Sequence, residues 1–176
     1  MSEDAPVPAA PPEAKPKLGP ATAYMIAVGV LMADQGSKRY VIEAMHLPAV
    51  GSIELAGPLH FTMVWNRGVS FGLFTADQGV MRWVLGGFSA LVAILLIVWA
   101  RRQHRPLVLT ALGLVIGGAI GNLIDRVKFG AVADFIDLSR MFFPWVFNVA
   151  DSAITIGVIL LLLDSVRNDR LSRPSA

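Results

Sequence analysis

The chain of 176 residues is 55% hydrophobic but only 16% charged, with a formal net charge of +2; a soluble domain carries roughly 25% charged residues. Cysteine is absent, which excludes disulfides and thiolate metal sites, and the three scattered histidines (His46, His60, His104) form no ligand pair, so neither a metal nor a cofactor is expected. The apolar residues come in blocks with cations at their flanks, a pattern of membrane topology and not of nucleic-acid binding.

In chain order, residues 1–17, "MSEDAPVPAAPPEAKPK", are rich in Pro and Ala without periodicity and read as a disordered tail. Acidic residues ahead of the first apolar run argue against a signal peptide. Four apolar blocks follow: Leu18 to Met45, Trp83 to Ala100, Pro106 to Arg126, and about Pro144 to Asp164. A membrane-spanning helix needs about 20 residues, and blocks one, three and four reach that length only if Asp34, Asn122 and Asp151 are counted in or near the bilayer. Cations precede the first block (Lys15, Lys17), join the second to the third (Arg101 to Arg105) and follow the fourth (Arg167, Arg170, Arg173). The positive-inside rule then predicts four spans over residues 18–166, with both termini in the cytoplasm and a short tail at 167–176.

Two segments are left outside. Residues of about 48–77 alternate apolar and polar positions between glycines, which predicts a small β-sheet on the membrane surface. Residues of about 128–144 predict a short surface helix or loop. Trp65, Trp83 and Trp145 fall where interfacial aromatic rings are favoured.

Helix rise locates the polar residues in depth. Asp34 lies 16 residues from Leu18, Asn122 lies 16 from Pro106, and Asp151 lies 16 from Arg167, each roughly 24 Å at about 1.5 Å per residue. Three helices thus bring polar groups to one layer, just inside the outer surface of a hydrocarbon core about 30 Å thick. Lys38 is one turn after Asp34 and is placed to pair with it. Asp125 and Arg126 end the third helix and can anchor a network. The glycines of "GLVIGGAIGN", Gly118 and Gly121 among them, allow close helix packing. Asp164 lies at the opposite end and is left out of the layer. Asp134 and Asp137 stand three apart, a spacing that fits one helical face, and either can join Asp151.

Two facing aspartates can activate water, because like charges drive their proton affinities apart and leave one base and one acid. Ser70 and Ser152 have no neighbouring His in sequence for serine chemistry. Ion or proton transport through the polar residues, or a non-catalytic assembly role, are the competing classes.

Five segments together narrow the choice: "DQGSK" (Asp34 to Lys38), "NRGVSFG" (Asn66 to Gly72), "GGAIGNLIDR" (Gly117 to Arg126), "VADFIDL" (Val132 to Leu138) and "FNVADSAI" (Phe147 to Ile154). In this order the chain resembles the bacterial lipoprotein signal peptidase family, signal peptidase II. The resemblance implies an all-α inner-membrane bundle of four transmembrane helices with a small periplasmic sheet that cradles substrate. It implies an aspartic endopeptidase, without cofactor and acting as a monomer, that cuts prolipoproteins just before a diacylglyceryl-modified cysteine. It assigns catalysis to Asp134 and Asp151, and support of the site or substrate to Asp34, Lys38, Asn66, Gly68, Asn122, Asp125, Arg126 and Asn148. The proline-rich tail lies outside the resemblance.

Overall fold

The computed structural model describes residues 18–68, 78–141 and 144–172; the tail at 1–17 lies outside them, as do Ser70 and the end of the first outer segment. Helix α1 runs over Pro20–Arg39, opened by a proline whose missing N–H costs nothing at that position, and continues as a π-helical turn over Tyr40–Ala44. A single turn, α2 (Leu47–Val50), leads into strands β1 (Ser52–Ala56) and β2 (Leu59–Asn66). Helices α3 (Gln78–Ala100) and α4 (Pro106–Phe129) follow, then strand β3 (Val132–Asp137), a 3₁₀ turn (Ser139–Met141), the short strand β4 (Val146–Phe147) and helix α5 (Val149–Ser172). The last helix carries on through Arg167 without a break.

Among the described residues, three helical stretches are long and apolar enough to cross a membrane: Gly79–Ala100, Pro106–Phe129 and Val149–Asn168. Helix α1 is not among them: its 20 residues are diluted by Pro20, Thr22 and Tyr24 at the start and by Asp34, Gln35, Ser37, Lys38 and Arg39 at the end. Helix α4 is the centre of the bundle and packs against α1, α3 and α5. Its glycines make the contacts with α1 and α5 possible. A Cβ on Gly117 would stand 2.6 Å from the Ala27 carbonyl oxygen of α1, and one on Gly118 would stand 2.5 Å from that of Ala150 on α5. Both are too close for a real side chain, so the helix backbones meet directly, as in other small-residue interfaces.

The four strands form one antiparallel sheet in the order β1-β2-β3-β4. Here the structure corrects the expectation of a surface helix or loop at 128–144. Val132–Asp137 is an inner strand, and Ala131 to Phe135 are all nearly inaccessible. A strand buried on both faces has no apolar–polar alternation, so its period is hidden. The correction also separates Asp134 from Asp137. Residues three apart share a helical face but point to opposite faces of a strand. Gly130, with φ +78°, ends α4 in the left-handed conformation that glycine adopts freely and turns the chain into β3.

Candidate active site

At the sheet end of the bundle a buried lysine lies between two buried aspartates. The Lys38 ammonium is 2.8 Å from Asp34 and 2.7 Å from Asp125, all three side chains being at most 3% exposed. Each aspartate also accepts a backbone N–H. Asp34 Oδ1 takes that of Ala150 at 3.0 Å, one of the donors left without a partner in the first turn of α5. Asp125 Oδ2 takes that of Ala133 on β3 at 3.1 Å. These are the residues immediately before Asp151 and Asp134. The lysine therefore joins two clamps, each holding the backbone beside one of the two expected catalytic carboxylates.

Gln35 closes the same cluster. Its amide donates to Asp34 at 3.1 Å and to Asp125 at 3.0 Å. Sequence reasoning passed over this residue, although it stands inside "DQGSK"; a polar side chain beside two anchoring charges was the available signal.

Two asparagines link the carboxylates. Asn148 is the N-cap of α5: its Oδ1 accepts the Asp151 N–H at 2.9 Å, and its Nδ2 donates to Asp134 Oδ1 at 2.6 Å. Asn122 Nδ2 donates to Asp151 Oδ1 at 2.7 Å, while its Oδ1 accepts from Asn148 at 3.3 Å and from Lys38 at 3.4 Å. A lysine only donates and a carboxylate only accepts, so these neighbours fix the orientation of the Asn122 amide. Asp151, which has no cation next to it in sequence, is thus held by an amide rather than an ion pair.

Asn66 approaches from the sheet. It pairs with Val132, which places its side chain diagonally beside Asp134, and its Nδ2 donates to Asp134 Oδ2 at 3.0 Å. Gly68 steadies Asn66 by donating its N–H to Asn66 Oδ1 at 2.8 Å, and with φ +91° it holds a backbone conformation that other residues strain to adopt. Of the ten residues singled out in the sequence, Arg126 is the one set slightly apart. Its guanidinium donates to the backbone carbonyl of Asn122 at 3.2 Å and lines a groove between α3, α4 and α5.

Asp134 is 2% exposed. Burial raises the pKa of its carboxyl to about 6, and the charge of Asp151 adds to this, against the hydrogen bonds from Asn66 and Asn148 and the charge of Lys38. Asp137, on the opposite face of β3, differs in every respect. It accepts from Thr62 Oγ1 at 2.7 Å and from the Ser139 N–H at 2.9 Å, and these bonds hold its carboxyl below the usual range. Geometry therefore separates the two aspartates that spacing alone left equivalent. Asp164 stays out of the site: it pairs with Arg105 at 2.6 Å, near the other end of α5.

Asp134 opens on a cleft of about 500 Å³ walled by Trp65, Asn66, Pro144 and Trp145. Asn122 borders an apolar groove of about 260 Å³ between α3, α4 and α5. Asp134 therefore faces an aromatic-walled cleft at the sheet, while Asn122, the partner of Asp151, faces a groove in the apolar bundle.

A family described as signal peptidase (SPase) II matches this chain over residues 26–167. The chain belongs to the signal peptidase II family. A lipoprotein signal peptidase of Caulobacter vibrioides is 54% identical over 144 residues, covering 81% of this chain and 85% of that protein. One of Methylorubrum extorquens is 46% identical over 141 residues, covering 80% and 82%. A bacterial membrane enzyme solved by the in meso method at 2.3 Å resolution superposes with a TM-score of 0.74 at 29% identity, over 89% of this chain and 94% of that one. As a signal peptidase II, the protein is a protease of lipoprotein maturation. The matched span contains all ten residues of the site.

Proposed function

We propose that Asp134 and Asp151 hydrolyse the peptide bond just before a diacylglyceryl-modified cysteine of a prolipoprotein, with one water between them and no cofactor. The observation that carries this reading is the bridge of Asn148 and Asn122, which joins the two carboxylates through hydrogen bonds of 2.6 Å and 2.7 Å. Close buried carboxylates cannot both ionise readily, so the pair retains one proton and titrates as a unit. The ionised member takes a proton from water, and the water oxygen bonds to the scissile carbonyl carbon. The protonated member then gives its proton to the leaving nitrogen as the carbon–nitrogen bond breaks. The products are the signal-peptide carboxylate and the free amine of the modified cysteine. Amide donors around the pair are fixed before the reaction and need no reorganisation to steady developing charge.

In this reading α1 is the fourth span and both termini are cytoplasmic. The sheet lies on the periplasmic face of the inner membrane, and the protein works as a monomer. The shared depth of Asp34, Asn122 and Asp151 supports it, since a substrate anchored by acyl chains in the lipid presents its cysteine at that height. Asn66 and Gly68 hold the extended peptide in the outer cleft, and Arg126 lies beside the lipid-facing groove. The test is incubation of purified protein with one prolipoprotein, with and without its diacylglyceryl group. Cleavage of the modified form alone is expected. Equal cleavage of both would remove the lipid requirement, and cleavage of neither would remove the activity.

A further inference from the structure

A second cleft, of about 470 Å³, lies between the end of α1 with its π-helical turn and the end of α4, apart from the cleft that opens on Asp134. Its lining includes Lys38, Arg39, Glu43, Asp125, Lys128 and, as an apolar wall, Phe129. With Asp34 beneath Lys38 the charges balance, three cations to three carboxylates, but the exposed rim has two cations, Arg39 and Lys128, against Glu43 alone. The cations are not equivalent. Lys38 is spent on Asp34 and Asp125 in the floor. Arg39 holds Glu43 at 2.8 Å, but their side chains are 78% and 62% exposed, and so open a pair is worth little in water. Lys128 is exposed, has no ion pair among the described residues, and lies 5.9 Å from the centre of the Phe129 ring.

Helix α4 ends at Phe129, about 35 Å from Pro106 at about 1.5 Å per residue, so in the proposed topology the cleft stands just beyond a hydrocarbon core about 30 Å thick. At this level a lipid carries its phosphate, with glycerol and acyl chains running back along the helix. The cations at these two helix ends also offset the carbonyl ends of α1 and α4, but that role needs neither a cleft nor an apolar wall beside them.

We propose that this cleft binds the phosphodiester of an anionic membrane phospholipid, with Arg39 and Lys128 as its cationic contacts and Phe129 beside its glycerol. Cationic residues at a membrane surface each contribute on the order of 1 kcal/mol to attraction of an anionic lipid, roughly fivefold per charge. The monoanionic headgroup matches the one surplus cation of the exposed rim, and Arg39 can turn from Glu43 to the phosphate.

The test is native mass spectrometry of the full-length protein in neutral detergent, titrated with phosphatidylglycerol, phosphatidylcholine or soluble glycerol 3-phosphate. One phosphatidylglycerol is expected to stay bound where phosphatidylcholine does not. R39Q/K128Q should weaken that binding at least about tenfold while prolipoprotein cleavage, which uses neither residue, reports that the variant is folded. E43Q decides between binding and a merely structural ion pair. It frees Arg39 and should strengthen binding, whereas loss of a structural pair would make E43Q and R39Q behave alike. Equal retention of the two lipids, equal behaviour of E43Q and R39Q, or full displacement by glycerol 3-phosphate would overturn the proposal. So would an equal loss in R101Q/R102Q, at the other end of the bundle.

Discussion

Helices α3 and α4 are almost equally apolar, yet only 17% of the most apolar stretch of α3 is buried within the protein against 67% for α4. Hydropathy names the solvent a helix can enter; it does not say whether lipid or protein surrounds it. The difference lies in side-chain size and in polar groups. On α3, Val84, Phe88, Leu91 and Leu95 face outward, and a Cβ added to Gly87 would meet nothing within 4 Å. On α4, Gly113, Gly117, Gly118 and Gly121 let two neighbours, α1 and α5, approach, and its last turns carry Asn122, Asp125 and Arg126. One helix is a lipid-facing wall, and the other is the axis on which the site is assembled.

The strongest way to sharpen that contrast is at the site the axis supports. D134N and D151N are each expected to lower turnover of a diacylated prolipoprotein by about 10³-fold or more, with the helical circular dichroism retained and no fall in melting temperature. Near-normal turnover by both variants would end the assignment.

Next in size is the buried lysine. K38M leaves Asp34 and Asp125 facing each other with no cation, a change that costs about 3–5 kcal/mol when one partner of a buried pair is lost. Unfolding in detergent reads the loss. Part of it should return in K38M/D125N, which removes one of the opposed charges. A stability unchanged by K38M would mean that the lysine does not join the two clamps.

Smaller again is the packing contrast. G118A places a methyl group 2.5 Å from the Ala150 carbonyl oxygen and is expected to cost about 1–3 kcal/mol through overpacking. It should also slow cleavage, because Ala150 precedes Asp151. G87A on α3 should shift stability by no more than about 0.5 kcal/mol. Equal melting temperatures for the two variants would break the comparison.

The smallest effect is in pH. Since the Asp134 carboxyl titrates at about 6, kcat/KM should fall as pH rises through that value and the pair loses its shared proton. N66A removes a hydrogen bond that favours the charged form, so it should move this limb upward, by up to about one unit. The stability linkage has the same sign. The native carboxyl binds its proton more tightly than the unfolded one, so its contribution is full below about pH 3.8 and lost as pH rises through about 6. D134N should therefore gain stability on wild type above pH 6, on the order of 2 kcal/mol, and lose that gain near pH 4. A limb that does not move in N66A would separate it from Asp134.

Much of this protein can be read along the chain. Apolar blocks become helices because a long apolar run has no other way to satisfy its backbone in lipid. Helix rise alone placed Asp34, Asn122 and Asp151 in one layer, and the structure joins Asn122 to Asp151 and sets Asp34 on Ala150. What was hidden depends on neighbours distant in sequence. Strand β3 shows no alternation because α4 packs on it and Phe135 is buried against Val41 and Leu47 while Asp134 turns into the polar cluster, so the fold overturns a helical spacing for Asp134 and Asp137.

By itself the sequence determined that long apolar helices dominate the chain and that Asp34, Asn122 and Asp151 stand at matching rises along three of them, because these follow from composition and a constant rise per residue. Tertiary structure decided the rest. It determined which aspartate turns inward, that Asn148 both caps α5 and holds Asp134, and that one lysine couples the backbone beside Asp134 to that beside Asp151. Those are contacts between elements up to 116 residues apart, and no local spacing encodes the angle at which two helices and a strand converge.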